Sequence, residues 1–371
     1  FDRTFSKVRP PAGPPEAKGK KMNVYTTACP RNCYSTCSMK VYVENGRICN
    51  VEANPENKAT PEGVCLRGLS YVERVHSADR ILTPLQRKQG TEHFEEISWD
   101  EALDTITEKL KFYKEQYGPQ SVFYYYGSGT KGLLNAVGAN FWRMYGGYTA
   151  SYGDLCWPAG LEATRLTLGE NIHNAPWDIK NSRLIIMWGK NPAETNIHQM
   201  RSVDLALEEG AKLVVIDPRR TQSAETAELL IQPRPGTDGA LALSVAHLLI
   251  KNDLIDREFI DKHVLGFPEF EKRAKEFTPR RASALTDVPE KYIERLAEYL
   301  GTIKPAVICG GYGMQRYTNS GQTMRAIIAL TAITGNIGKP GAGWIYANLQ
   351  TSIFDKVQDP IAFFPPKDPD G

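Results

Sequence analysis

The chain has 371 residues, 41% hydrophobic and 24% charged, with a formal net charge of +2. This is globular composition, long enough for roughly two to three domains. The near-neutral balance excludes a global footprint for nucleic acid or an anionic membrane. No apolar run reaches the about 18 residues of a membrane span, and seven cysteines, an odd number, argue against a disulfide framework.

Residues 1–21 mix Pro, Gly and Lys without periodicity and are expected to form an extended arm. Order is expected to start at Val24–Thr27. CPRNCYSTC follows, with Cys29, Cys33 and Cys37 at i, i+4 and i+8, and Cys65 returns after 27 intervening residues in CLRG. Three close thiols and one distant thiol can enclose one metal cluster, and four thiolates suit a [4Fe–4S] cube. A zinc ion on the same thiols is the rival, although structural zinc sites usually take a thiol pair from each side. Two disulfides are the third reading, suited to small secreted domains. Between the thiols, Met39–Val43 and Arg47–Glu52 alternate around Asn45-Gly46, a hairpin signal. Cys49 falls in the second strand and reads as a buried small hydrophobe.

Residues 79–93 read as a basic connector. Ser98 with Glu101 fits a capping box for a helix through Ala102, Leu103, Ile106 and Leu110. Val122–Tyr126 reads as a strand, with another helix from near Leu133. Between them Gly127-x-Gly129-x-x-Gly132 matches a dinucleotide fingerprint, but no acidic residue ends a clean second strand. A phosphate-cradling loop for another nucleotide-bearing cofactor fits better.

From about 180 the pattern turns regular. Strands are expected at Leu184–Trp188, Leu213–Ile216, Leu229–Ile231 and Ala306–Cys309, separated by helices that include Ala240–Ile250 and Met324–Thr334. Strand, Gly/Pro loop and helix in repetition mark a parallel α/β sheet, which binds ligands beyond the carboxyl ends of its strands. The four loops at those ends are Gly189-Lys-Asn-Pro192, Asp217-Pro-Arg-Arg-Thr221, Arg234-Pro-Gly-Thr-Asp238 and Gly310-Gly-Tyr-Gly313. Small residues there admit a backbone approach. Asp217 suits a ribose hydroxyl or purine amine, and Arg219, Arg220 and Arg234 suit phosphate. Turn chemistry with solvated charges is the alternative for any one loop. Cys309 reads as core.

With CPRNC-x3-C, CLRGLSY, ISWDEAL, WGKNPAE, VVIDPRRT, RPGTDGALALS and ALTAITGNIGKPGAG in place, the chain from Tyr25 to Gly343 resembles the molybdopterin oxidoreductases of the dimethyl sulfoxide reductase family. The resemblance implies molybdenum or tungsten on two pterin guanine dinucleotides, with one [4Fe–4S] cluster on Cys29, Cys33, Cys37 and Cys65. It implies that Gly189, Asn191 and Glu194, Asp217, Arg219 and Thr221, and Arg234, Gly236 and Asp238 hold one dinucleotide. Ser128, Gly129 and Lys131, with Gly313 and Met314, would approach the pterin. The position of the metal's protein ligand is matched by Cys156 in GDLCWPAG. A thiolate is a soft ligand, kept deprotonated by a bound cation; a buried structural Cys is the alternative. Arg67 resembles the family's basic residue between cluster and pterin, and Arg325 an arginine near substrate.

The implied fold is a small iron–sulfur β-hairpin domain (22–85) after the arm. An α/β domain (86–180) carries the pterin loop and metal ligand, a Rossmann-like domain spans 181–335, and a return segment spans 336–371. The family's C-terminal barrel domain is absent from this stretch. By association within the family, Cys156 with Arg67 leans towards a terminal reductase of anaerobic respiration acting on thiosulfate or polysulfide. Formate dehydrogenase is the alternative, disfavoured because Trp157 stands where those members carry His and cannot relay a proton. A non-redox tungsten hydratase, with Asp154 as the nearby carboxyl, and a non-catalytic scaffold are the others. Expected partners are an iron–sulfur electron-transfer subunit with or without a membrane anchor, the C-terminal half of the enzyme and a small-molecule substrate, with no nucleic acid. No signal peptide is visible, which leaves export undecided; the Pro-rich arm favours the periplasm over the cytoplasm for a soluble or membrane-peripheral protein.

Overall fold

The computed structural model describes residues 22–31, 33–60, 63–127, 137–151 and 155–347. They fall into two compact units, divided after Ser151.

The first unit begins with three antiparallel strands in the order β1-β2-β3: β1 (Met22–Ala28), β2 (Ser38–Glu44) and β3 (Arg47–Ala53). Asn45 and Gly46 both take positive φ, 51° and 77°, as the tight turn between β2 and β3 requires. Met39 and Val51 supply the buried face. The register shifts between Tyr42 and Val43, and Cys49 lies exposed, its thiol donating to the Tyr42 carbonyl at 3.3 Å. The expectation of a buried Cys49 is therefore corrected, because this bulge breaks the strand's alternation.

Two short helices follow, α1 (Leu66–Leu69) and α2 (Tyr71–Val75). The connector holds a hairpin that composition did not reveal, β4 (Leu85–Arg87) against β5 (Phe94–Glu96). Helix α3 (Trp99–Tyr117) starts where expected, with the Ser98 hydroxyl accepting from the Glu101 N–H. Its apolar seam, including Trp99, Leu103, Ile106, Tyr113 and Tyr117, is exposed, and no residue of α3 is buried. The expected strand Val122–Tyr126 is reduced to one parallel bridge, Phe123 with Thr149. Its rings pack along the chain instead: Phe123 stacks on Tyr125, and Tyr124 on Tyr126. Helix α4 (Val137–Tyr145) follows; the expected helix start near Leu133 lies outside the described residues.

The second unit is a doubly wound sheet. Its strands are β6 (Leu184–Trp188), β7 (Lys212–Ile216), β8 (Leu229–Ile231), β9 (Ala306–Gly310) and β10 (Gly343–Ile345), in the order β10-β9-β6-β7-β8. Every pair is parallel. In chain order this is 3-2-1-4-5, the Rossmann arrangement, with its switch point between β6 and β9. The continuous Val/Ile/Leu runs follow from burial on both faces. One face, with Ile186, Trp188, Val214, Ile216 and Ile308, packs on α8 (Asp238–Lys251), α12 (Glu290–Thr302) and α13 (Ser320–Ile333). The other, with Ile185, Met187, Val215 and Cys309, packs on α7 (Ile197–Glu208). Cys309 is core as expected, and full burial pushes its thiol up to about 12. Helix α5 (Pro158–Leu168) belongs to this unit and packs on α13.

Candidate functional site

The β1–β2 connection carries three thiols. The Cys29 N–H donates to the Cys37 carbonyl at 2.8 Å, closing the loop. Cys65 stands at the start of α1, its carbonyl accepting from the Gly68 and Leu69 N–H groups. A Cβ on Gly68 would lie 3.7 Å from the Cys29 Sγ, so α1 seats against the first thiol. Burial chiefly raises the Cys37 thiol above its ordinary value, a hydrogen bond with the Thr60 side chain opposes this, and the thiols of Cys29, Cys33 and Cys65 each add to the rise. Cys37 thus lies within electrostatic reach of the other three thiols. Among the described residues no three Cys, His, Asp or Glu close on a single ion. The all-sulfur donor set fits an iron–sulfur cube, which spreads its ligands around four irons.

In the second unit the parallel sheet delivers all four loops to one edge. At the switch point the Gly311 N–H donates to the Trp188 carbonyl at 2.8 Å, and a Cβ on Gly311 would stand 1.6 Å from the Gly189 oxygen. Gly189, at φ 59°, lies against Met314, 2.9 Å from where its own Cβ would be. Lys190, buried beside Gly189, holds its ammonium 6.0 Å over the Tyr312 ring. Sequence reasoning passed over this lysine, although it is the only cation in the first loop.

The loops after β6 and β7 are joined by polar contacts. The Ser223 hydroxyl donates to Asn191 Oδ1 at 2.6 Å and accepts from the Ala193 N–H at 3.1 Å. Arg219 pairs with Glu194 at 3.7 Å, both exposed, so the pair itself adds little stability. Asp217 accepts from the Arg219 N–H at 2.8 Å, while burial, the largest influence, raises its carboxyl above the usual range. The Thr221 hydroxyl is buried without a hydrogen-bond partner among the described residues. Asp238, 7% exposed at the first turn of α8, accepts from Trp188 Nε1 at 2.8 Å. Its carboxyl is raised mainly by burial, with Asp217 adding to the rise. Gly236, at φ 84°, lies against the Tyr317 ring.

Arg234 is held by Asp287 in a two-pronged contact, Nε at 2.9 Å and a terminal nitrogen at 2.7 Å. Arg325 is exposed on α13 and lines a cavity of about 1360 Å³ with Gly236, Thr237, Asn319 and Thr323; Cys156 is not among its walls. Arg67 lies in the last turn of α1, partly buried. Ser128, Gly129, Lys131 and Asp154 lie outside the described residues.

Cys156 is brought to the switch point. Gln315, 5% exposed in the loop after β9, donates through Nε2 to the Cys156 carbonyl at 2.8 Å. Its Oε1 accepts from the Gly160 N–H at 3.0 Å. Arg316 reaches the same Cys156 carbonyl at 3.5 Å, and the Tyr346 hydroxyl donates to the Trp157 carbonyl at 3.2 Å. Neither Gln315 nor Tyr346 carries a signal in the sequence alone, since their partners lie 155 to 189 residues away.

A family model described as Molybdopterin oxidoreductase matches residues 80–360, and one described as Molybdopterin oxidoreductase Fe4S4 domain matches residues 22–77. The chain is 35% identical over 327 residues to the Probable oxidoreductase YyaE of Bacillus subtilis (strain 168), covering 88% of this chain and 49% of the relative. It is 34% identical over 359 residues to the Dimethyl sulfoxide reductase DmsA of Escherichia coli (strain K12), covering 86% and 44%. Among solved structures it resembles the Acetylene Hydratase from Pelobacter acetylenicus, with TM-score 0.69 and 29% identity over 85% of this chain and 44% of that one. The chain thus spans about half the length of the curated relatives it matches. With the family models covering its four-thiol loop and its switch-point loops alike, the chain belongs to the molybdopterin oxidoreductases, among relatives that include dimethyl sulfoxide reductase, and its cofactors are a [4Fe–4S] cluster and molybdopterin with molybdenum or tungsten.

Proposed function

We propose that this chain holds the cluster and one pterin guanine dinucleotide of a terminal reductase acting on sulfur substrates of the thiosulfate or polysulfide type. The observation that carries the reading is the Cys156 turn, tied by Gln315 to the loop that closes on Gly189. That arrangement sets the Cys156 backbone beside a loop junction too tight for side chains. The buried Thr221 hydroxyl, without a hydrogen-bond partner among the described residues, and the buried Asp238 suit the polar groups of a dinucleotide, and Lys190 suits its phosphates.

When bound, the pterin-held metal supplies two-electron chemistry or takes up an oxygen or sulfur atom. The chain's own residues position and tune. Cys156 would offer a bound metal a soft thiolate ligand, and Cys29, Cys33, Cys37 and Cys65 would hold an iron–sulfur cube, which supplies single-electron transfer. By the family resemblance Arg67 is proposed to assist electron passage from the cluster. Trp157 after the ligand gives no proton relay, which sets the reading apart from formate oxidation. The partner in this reading is an iron–sulfur electron-transfer subunit.

The likeness to acetylene hydratase favours a second reading, in which the metal activates water without turning over its oxidation state. Assays of the native protein separate the two. Oxidation of a reduced viologen by thiosulfate or polysulfide supports the reductase. Acetylene hydration without a net electron acceptor supports the hydratase, and viologen reduction by formate overturns both.

A further inference from the structure

Helix α5 lacks a cap of its own. Trp157 stands at its N-cap position without a capping side chain, and Pro158 at the first helical position has no N–H to give. Gly160, in that first turn, instead donates to Gln315 Oε1, a residue from the loop after β9. The same amide donates through Nε2 to the carbonyl of Cys156, the residue before the N-cap. One buried side chain therefore spends both ends of its amide on the turn carrying the expected metal ligand. Its neighbour Met314 fills the space beside Gly189. Tyr346 braces the other side of the turn: its hydroxyl meets the Trp157 carbonyl, and its ring lies where a Cβ on Gly160 would stand.

We propose that Gln315 is the positioning residue for Cys156, setting the ligand turn against the pterin-side loop by capping α5 from outside. This rests on the reading of Cys156 as the metal ligand. A thiolate ligand acts through its direction as well as its presence, because groups behind a ligand orient it and tune the metal. Gln315 fixes the backbone on both flanks of Trp157, so the segment bearing the thiol cannot pivot independently of the Gly311–Met314 loop.

The test uses the full native protein with two variants, Gln315→Met and Gln315→Glu. Met matches the shape and loses both hydrogen bonds. Glu keeps an acceptor for the Gly160 N–H and places an oxygen against the Cys156 carbonyl. The readouts are Mo or W and Fe content, and the electron paramagnetic resonance signal of the pentavalent metal. The expected result is unchanged iron in both. Gln315→Met should lose at least threefold of its Mo or W, and both variants should show a shifted signal in the metal that remains. Wild-type metal content and signal in either variant would overturn the proposal. Failure of both to fold would overturn it too, leaving Gln315 a structural role alone. A wild-type protein without Mo or W, or Cys156→Ala with an unchanged signal, would instead fail the metal-ligand reading itself.

Discussion

The carbonyl oxygen of Gly189 occupies the space a side chain on Gly311 would need, 1.6 Å from an ideal Cβ. The loops after β6 and β9 thus meet backbone to backbone at the switch point, where an open α/β sheet binds its ligand. Gly311→Ala must force them apart, and overpacking of this kind costs about 1–3 kcal/mol. Gly321→Ala, in the first turn of α13, meets nothing within 4 Å and serves as the control, expected to be no less stable than wild type. Denaturant melts of both variants check this, and pterin retention should fall only in the first.

Asp238 couples stability to function. Burial raises its folded value above the ordinary 3.8, so between that value and the raised one the folded chain binds more protons than the unfolded. The stability from the protonated form is present below about pH 4 and is lost as pH rises through the raised folded value. Asp238→Asn keeps an acceptor for Trp188 and removes the buried charge. It should raise the thermal midpoint at pH 7, flatten the pH dependence above about pH 4, and lower retention of the dinucleotide. Trp188→Phe should instead destabilise by about 1–3 kcal/mol, by leaving the carboxylate short of its donor.

The seven cysteines divide by role. Cys37 is buried within electrostatic reach of Cys29, Cys33 and Cys65, the proposed cluster ligands, so Cys37→Ser should strip most of the iron and the visible cluster absorbance. Cys49 is exposed and bonded only locally to the Tyr42 carbonyl, so Cys49→Ser should keep both. Iron and sulfide assays on the two variants check the assignment.

Helix α3 tests the local reading. The Ser98 hydroxyl accepts from the Glu101 N–H at 3.1 Å, and Ser98→Ala should cost about 1 kcal/mol. Iron and pterin content should not change, which a paired thermal melt and metal analysis would show.

These residues also show where legibility ends. The turn at Asn45-Gly46, the cap at Ser98 and the four buried strands β6 to β9 are local patterns, and each formed where its signal stood. The thiols and the Gly/Pro loops were legible for the same reason, since spacing and residue type carry their chemistry. Three things were not. β10 is three residues inside a Gly-rich segment, and only pairing with β9 makes it a strand. Val122–Tyr126 has strand composition but a single bridging partner, so propensity alone did not build a ladder. The Gln315 clamp joins positions about 160 residues apart, and Arg234 found Asp287, 53 residues on. Such pairings are decided by packing and leave no periodic trace.

The account turns on two metal centres, one on four thiols and one on Cys156. Its most direct test is elemental analysis of the purified native protein, joined to X-ray absorption at the Mo or W edge. The account predicts about four Fe and one Mo or W per chain, with one sulfur ligand to the Mo or W lost in Cys156→Ala. Zinc in place of iron, or a Mo or W coordination shell unchanged by Cys156→Ala, would contradict it.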